Sequence, residues 1–71
     1  MALEWSPGDR VMIRLGHVNE PATVRGGYVT EALNEYGVPL FSTETYSVAL
    51  DSEPRKLRQI DRATIIGAAP E

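Results

Sequence analysis

Along residues 10–15 of the chain, apolar Val11, Ile13 and Leu15 alternate with Arg10, Met12 and Arg14. A period of two over six residues predicts a half-buried β-strand, with one face inward and the other in water. Ser6-Pro7-Gly8-Asp9, just ahead of it, is a turn signal. Proline presets φ, glycine admits positive φ, and aspartate bonds back to nearby backbone. Gly16 ends the strand, and residues 17–21 read as a polar loop. A second strand is expected from Ala22-Thr23-Val24-Arg25 through Tyr28-Val29, with Gly26-Gly27 marking a bulge or sharp bend. Residues 28–45 admit two readings. One is a short helix with Thr30 as N-cap and Gly37 after its end. The other is a long hairpin with Asn34-Glu35-Tyr36-Gly37 at its tip and a return arm through Val38-Pro39-Leu40-Phe41. The hairpin is preferred, because both flanks continue naturally as strands. Thr45 to Asp51 is the clearest strand, with Tyr46, Val48 and Leu50 inward. Beyond a turn at Asp51-Ser52-Glu53-Pro54, the pattern predicts a short strand at 56–59, a tight helical turn at 60–63 and a closing strand at 64–67. The tail from Ala68 to Glu71 is expected to be loose.

Strands about ten residues apart, with turn chemistry between them, favour a closed or nearly closed barrel over a sandwich. The expected fold is all-β: a small five-stranded SH3-like barrel with a long second-to-third strand hairpin and one short helical turn before the last strand. Residues 1–71 form a single domain, with 1–5 and 68–71 as flanking tails. Val11, Ile13, Val24, Tyr46, Val48, Leu50 and Ile65 fall on the inward phase and make the expected core. A chain of this length buries only about 60% of the surface its unfolded form exposes, so the core is thin and docking to something larger is a common remedy.

The 71 residues include no cysteine, which removes disulfides, thiolate metal sites and thiol nucleophiles from consideration and fits a reducing compartment. The opening Met1-Ala2-Leu3-Glu4-Trp5 has neither the basic stretch nor the apolar run of a secretory signal, and no segment approaches a membrane span. The expectation is a soluble cytoplasmic protein. A net charge of −3 argues against general nucleic-acid binding, which needs surplus cations. The charge is uneven, however. Arg55, Lys56, Arg58 and Arg62 with Asp61 form a local +3, leaving −6 on the other 63 residues. This basic stripe is either a solvated face or a docking patch for an acidic partner.

Little in the sequence points to catalysis. His17 is the lone histidine, with only Glu20 near it as a second metal ligand, and no strained elbow or oxyanion turn marks a nucleophile. Gly26-Gly27 lacks the Lys-Ser/Thr of a phosphate-binding loop and the spacing of a dinucleotide fingerprint. No catalytic, cofactor-binding or metal site is expected. The five aromatic residues are more informative. Tyr46 is core by phase. Trp5, ahead of the first strand, either plugs an open barrel end or stands at an interface. Tyr36 and Phe41 lie on the long arm, where they either form a satellite cluster or anchor a protein–protein contact.

Three stretches carry a family resemblance: Gly27-Tyr28-Val29-Thr30-Glu31-Ala32-Leu33-Asn34-Glu35-Tyr36-Gly37 with Val38-Pro39-Leu40, then Tyr46-Ser47-Val48-Ala49-Leu50-Asp51, and the ending Asp61-Arg62-Ala63-Thr64-Ile65-Ile66. Together with the opening Pro7-Gly8-Asp9-Arg10-Val11, they resemble the variable chain of ferredoxin–thioredoxin reductase over most of residues 7 to 66. The barrel type is similar to that of a small stromal subunit of photosystem I and of the barrel domain of nitrile hydratase β chains. The resemblance implies an electron-transport accessory subunit without cofactor or catalytic residues, which cradles a larger redox enzyme. Its partner-binding residues are then Tyr36, Phe41, Arg55, Lys56, Arg58, Arg62 and Trp5. Self-association into a homo-oligomer is compatible with this reading. An RNA- or ribosome-associated barrel is the alternative. A third class rests on Gln59-Ile60, a pair that resembles the pore motif of type II dihydrofolate reductases, oligomeric enzymes of the same barrel type. There the next residue is Tyr where this chain has Asp61, and the pore lysine falls on Ile13 or Arg14.

Overall fold

The computed structural model describes residues 3–70. Strand β1 runs Arg10–Leu15, β2 Val18–Leu33, β3 Pro39–Leu50, β4 Glu53–Asp61 and β5 Ile65–Ala68, with a 3₁₀ turn at Arg62–Thr64 between the last two. All pairings are antiparallel, in one five-stranded sheet of order β4-β3-β2-β1-β5. No ladder joins β4 to β5 among the described residues, so the sheet is open. No helix is long and apolar enough to cross a membrane.

The hairpin reading of residues 28–45 holds, and so does the helical turn before the last strand. Three expectations fail. The polar loop at 17–21 is instead a two-residue turn, Gly16-His17, and β2 begins at Val18 paired with Leu15. Gly16 carries φ +62° and His17 does not leave negative φ, the sign pattern of a hairpin turn of type II′. Polar Asn19 and Glu20 are held in the strand by the ladder to Arg14 and Ile13 rather than by burial. Pro21 is tolerated because its carbonyl accepts from the Asp51 N–H. Its ring nitrogen therefore faces the same side, just past the Ala22–Leu50 rung where β3 ends. The chain end is not loose either. Ala68 pairs with Val11, and Ala69 is buried and donates its N–H to the Arg10 carbonyl at 3.0 Å. Strand β4 is also longer than expected, because Pro54, Arg55 and Lys56 bulge out between the Leu50–Glu53 and Ala49–Leu57 rungs.

Val11, Ile13, Ala22, Val24, Tyr46, Val48 and Leu50 form one buried cluster, with Leu3, Trp5, Leu15, Ile60 and Ile65 packed around it. A flat sheet with no covering layer leaves both its faces in water. These side chains are sealed because the sheet curls across its own inner face and the N-terminal segment lies over the opening. The curl is visible where the end of β1 (Arg14 to Gly16) and the end of β4 (Gln59 to Asp61) line a common cleft, although two strands separate them in the sheet. Arg10 and Asp51 hold the other end, in a two-pronged ion pair with both N–O distances 2.5 Å.

Tyr46 is where sheet, bulge and N-terminus meet. Arg25 is the extra residue of a bulge between the Val24–Val48 and Gly26–Ser47 rungs. The bulge sets Gly27 directly opposite Tyr46. A Cβ on Gly27 would lie 2.8 Å from Tyr46 Cδ1 and 3.1 Å from the Thr45 carbonyl, so the ring occupies the space a side chain would need. At the far end of the ring, the Tyr46 hydroxyl accepts from the backbone N–H groups of Glu4 at 3.0 Å and Trp5 at 3.2 Å, and donates to Glu44. Glu44 also accepts from the Glu4 N–H at 2.9 Å. Arg62 closes the ring of contacts, binding Glu4 and lying 3.5 Å from Glu44. The Tyr46 hydroxyl, then the Glu4 N–H and the Arg62 charge, hold the Glu44 carboxyl below its usual pKa. Burial, and then the bond to Glu44, push the Tyr46 phenol above its usual value.

This node can be tested by packing and by pH. Gly27→Ala forces a fully buried ring to move and should cost roughly 1–3 kcal/mol, as overpacked cores do. Tyr46→Phe keeps the packing but leaves the Trp5 N–H without its acceptor and the Glu4 N–H with Glu44 alone, and should cost about 1–3 kcal/mol. Urea midpoints unchanged in both variants would remove Tyr46 from its central place. The pH test uses Glu44. It binds its proton less tightly folded than unfolded, so its contribution is complete above the unfolded pKa of about 4.3 and disappears as pH falls through the lower folded value. Below about pH 5 the urea midpoint of the parent chain should therefore fall more steeply than that of Glu44→Gln. Asp51, lowered by its bond to Arg10, titrates in both proteins and cancels in the comparison. Parallel acid curves would show that Glu44 is not coupled to folding.

Candidate docking surface

Past the Tyr28–Thr45 rung the β2–β3 ladder continues alone, from Val29–Glu44 to Leu33–Pro39. Strand β1 reaches only as far as Thr23, and β4 stops at the Thr45–Asp61 rung. The result is a two-stranded arm that helps stretch the molecule to 45 Å in one direction against 24 and 21 Å in the others. Its tip is built by Asn34, whose side-chain oxygen accepts from the N–H of Tyr36 at 2.8 Å and of Val38 at 3.0 Å. Gly37, at φ +77°, supplies the left-handed residue the reversal needs.

Of the nine large apolar side chains that are exposed among the described residues, six lie on this arm: Tyr28, Leu33, Tyr36, Val38, Leu40 and Phe41. Tyr36 is the most open at 81%, and Phe41 is 62% exposed. The rungs put Tyr28, Thr30, Ala32, Phe41, Thr43 and Thr45 on the outer face, away from the core, while Glu44 shares the inner face with Tyr46. The arm carries Glu31, Glu35 and Glu44 and no cation. Leu40 is a bulged residue between the Ala32–Phe41 and Leu33–Pro39 rungs. Sequence reasoning names Tyr36 and Phe41 but misses Tyr28, Leu33, Val38 and Leu40. Their signal is present in the chain: each lies between the Gly27 bend and the end of the return arm, beyond the reach of a thin core.

The four basic residues 55 to 62 do not form one free stripe. Arg58 lies inside the curl on the Val48 rung, bonded to Glu53 at 3.2 Å, and Lys56 is 3.9 Å from the same carboxylate. Arg62 is committed to Glu4 and Glu44, and the bond to Glu4 chiefly raises its pKa. Arg55, on the Pro54–Lys56 bulge, makes no ion pair among the described residues. Trp5 packs against the core and sits beside Arg62, Ile65 and Gly67 at a small cleft. The two docking elements that come together are the root of the arm and the β4 end: Ser42, Thr43 and Glu44 face Asp61, Arg62 and Ala63 across a cleft of about 370 Å³.

A larger open cleft of about 470 Å³ brings Arg14, Thr45, Gln59, Asp61 and Thr64 together between the ends of β1 and β4. Gln59 and Ile60, adjacent on β4, point to opposite faces, Ile60 against the core and Gln59 outward. Ile13 is fully buried and Arg14 donates to the Gly16 carbonyl at 3.2 Å. His17 is exposed on the hairpin turn. Among the described residues no group of three or more His, Cys, Asp or Glu is placed to hold a metal ion. Neither a family model, nor a curated protein, nor a solved structure matches this chain.

Proposed function

We propose that the chain is a non-catalytic interaction subunit that docks to a larger protein through the β2–β3 arm. The observation that carries the reading is the concentration of six exposed large apolar side chains on one projecting ribbon. Monomeric proteins rarely leave such a patch without a use, and aromatic anchors in it supply most of the affinity of a contact. The strand order, the curl and the 3₁₀ turn before β5 fit an SH3-like barrel left open between β4 and β5. On that reading the body is a scaffold and the arm is the working part. The resemblance to the variable chain of ferredoxin–thioredoxin reductase makes a redox enzyme the first partner to try, in the cytoplasm. Within the proposed contact, Phe41 and Tyr36 are anchors on the arm, while Arg55 and Lys56, at the opposite end of β3, would act on an acidic partner only as it approaches the body. Arg58, Arg62 and Trp5 act from behind, by holding β4 and the N-terminal segment in place.

The test is a capture experiment with the intact chain, followed by binding kinetics on the protein it retains. Phe41→Ala and Tyr36→Ala should each speed dissociation by about tenfold or more. Arg55→Glu combined with Lys56→Glu should slow association and weaken its salt dependence while leaving dissociation nearly unchanged. Trp5→Ala should lower stability before it lowers affinity. A partner indifferent to Tyr36, Phe41 and the β4 cations would move the docking face elsewhere. Tight binding of RNA through those cations at physiological salt would replace the protein-docking reading.

A further inference from the structure

We infer that residues 3–5 form a lid over the Tyr46 end of the core, and that this lid opens as a unit while the five-stranded sheet stays folded. The lid works without a partner, so it is independent of whatever docks on the arm.

A stapled turn separates the lid from the sheet. The Ser6 N–H donates to Asp9 Oδ2 at 2.8 Å, and the Asp9 N–H donates back to the Ser6 carbonyl at 3.0 Å. Gly8 then donates to the Val24 carbonyl at 2.8 Å, and the Val24 N–H to the Asp9 carbonyl at 2.9 Å. These four bonds tie residues 6–9 to one another and to β2. None of them includes the lid, so all four survive its lifting. The chain therefore pivots just ahead of Ser6.

Ahead of that pivot the segment belongs to no strand, since β1 begins at Arg10. Among the described residues its hydrogen bonds go only to side chains. Tyr46 and Glu44 take the Glu4 N–H, Tyr46 takes the Trp5 N–H, and Arg62 takes the Glu4 carboxylate. Leu3 and Trp5 are half-buried against the core, and Glu4 is exposed. A stretch with no ladder and few buried contacts lies at the low-stability end of a fold. The groups that receive it are held by β3 and the 3₁₀ turn, so lifting the lid breaks no rung of the sheet. The bonds also converge. One hydroxyl serves both N–H groups, and Glu44 binds that hydroxyl and the Glu4 N–H together, so the contacts are lost together. Lifting uncovers the Tyr46 hydroxyl and widens the cleft of about 200 Å³ where Trp5 meets Arg62 and Ile65. Glu44 stands on the first rung of the free arm, opposite Val29. The closed lid thus fastens the N-terminal segment to the root of the arm, and the open lid releases it.

Amide hydrogen exchange of the full chain, followed residue by residue by NMR, reads the opening. The Glu4 and Trp5 amides should share one degree of protection, at least about tenfold below that of the Val24 amide. Their protection should not change in urea too dilute to unfold the chain, whereas that of Val24 should fall, because only global opening exposes much surface. Leu50→Val, at the far end of β3 from Tyr46, weakens the sheet and not the lid. It should lower Val24 protection about threefold or more and leave Glu4 and Trp5 unchanged. Leu3→Ser removes an apolar contact of the lid, and should lower Glu4 and Trp5 protection by one common factor of about threefold or more. Glu4 and Trp5 amides that share the protection and urea dependence of Val24, or that lose protection in Leu50→Val, would place the segment in the global unit and overturn the inference. Free exchange at both amides in the parent chain would overturn it as well, since no lid would then close. Unequal losses in Leu3→Ser would show that the segment does not move as a unit, with the same result.

Discussion

The hydroxyl of one buried tyrosine decides how this sheet is finished. A single antiparallel sheet of five strands has no second layer, so its inner face is sealed only if the sheet curls and something covers the opening. Tyr46 serves both ends. Its ring lies over Gly27, which the Arg25 bulge has brought into register, and fixes where the sheet bends. Its hydroxyl takes the backbone N–H groups of Glu4 and Trp5 and so draws the N-terminal segment across the core. An unpaired N–H at such a site costs more than an ordinary hydrogen bond returns, which makes the covering segment specific as well as sticky. Glu44 and Arg62 complete the polar end, and they come from opposite sides of the β3–β4 junction.

That solution confines the core to the lower half of β3. Val48 and Leu50 face inward below Tyr46, and the strand above Glu44 has nothing to pack against. The arm is the consequence. The same β2 and β3 that form the centre of the sheet emerge from it as a ribbon, with backbone geometry intact and side chains that burial does not stabilise. The protein keeps sixteen- and twelve-residue strands where a minimal barrel of this size needs about half that length. Extra strand that contributes no core is costly in ordering entropy, a cost that the proposed docking role would account for.

Much of this is legible in the sequence because it follows from periodicity. The phase of Val11 and Ile13, of Val24, and of Tyr46, Val48 and Leu50 assigns the core, and the double glycine announces the bend. Asn34-Glu35-Tyr36-Gly37 reads as a hairpin tip because asparagine and glycine meet the demands of a reversal. Where the reading fails, polarity stands in for loop. Asn19 and Glu20 are strand residues because Arg14 and Ile13 offer them ladder partners, a fact that needs the pairing and not the residues themselves. Ala69 is buried by its bond to Arg10, a contact between the two ends of the chain that no local window contains. The bulge at Pro54–Lys56 is of the same kind, fixed by where Leu50 and Ala49 stand opposite.

The basic stripe shows most sharply why a candidate site cannot be read from charge along a chain. Four cations within eight residues suggest one face, yet β4 turns Arg58 inward, Glu53 answers Arg58 and Lys56 together, and Arg62 is engaged in tying the N-terminus down. Surface pairs of this kind contribute little stability one at a time, but each removes a charge from what an approaching partner sees. The field of the molecule is therefore more polarised than its sequence: an acidic arm bearing Glu31 and Glu35, and a body on which Arg55 of β4 makes no ion pair among the described residues. On the proposed docking reading, a partner at the arm would meet apolar side chains among carboxylates, with Arg55 at the opposite end of β3. Apolar surface sets how long such a contact lasts, and the sparse, separated charges set how it is found.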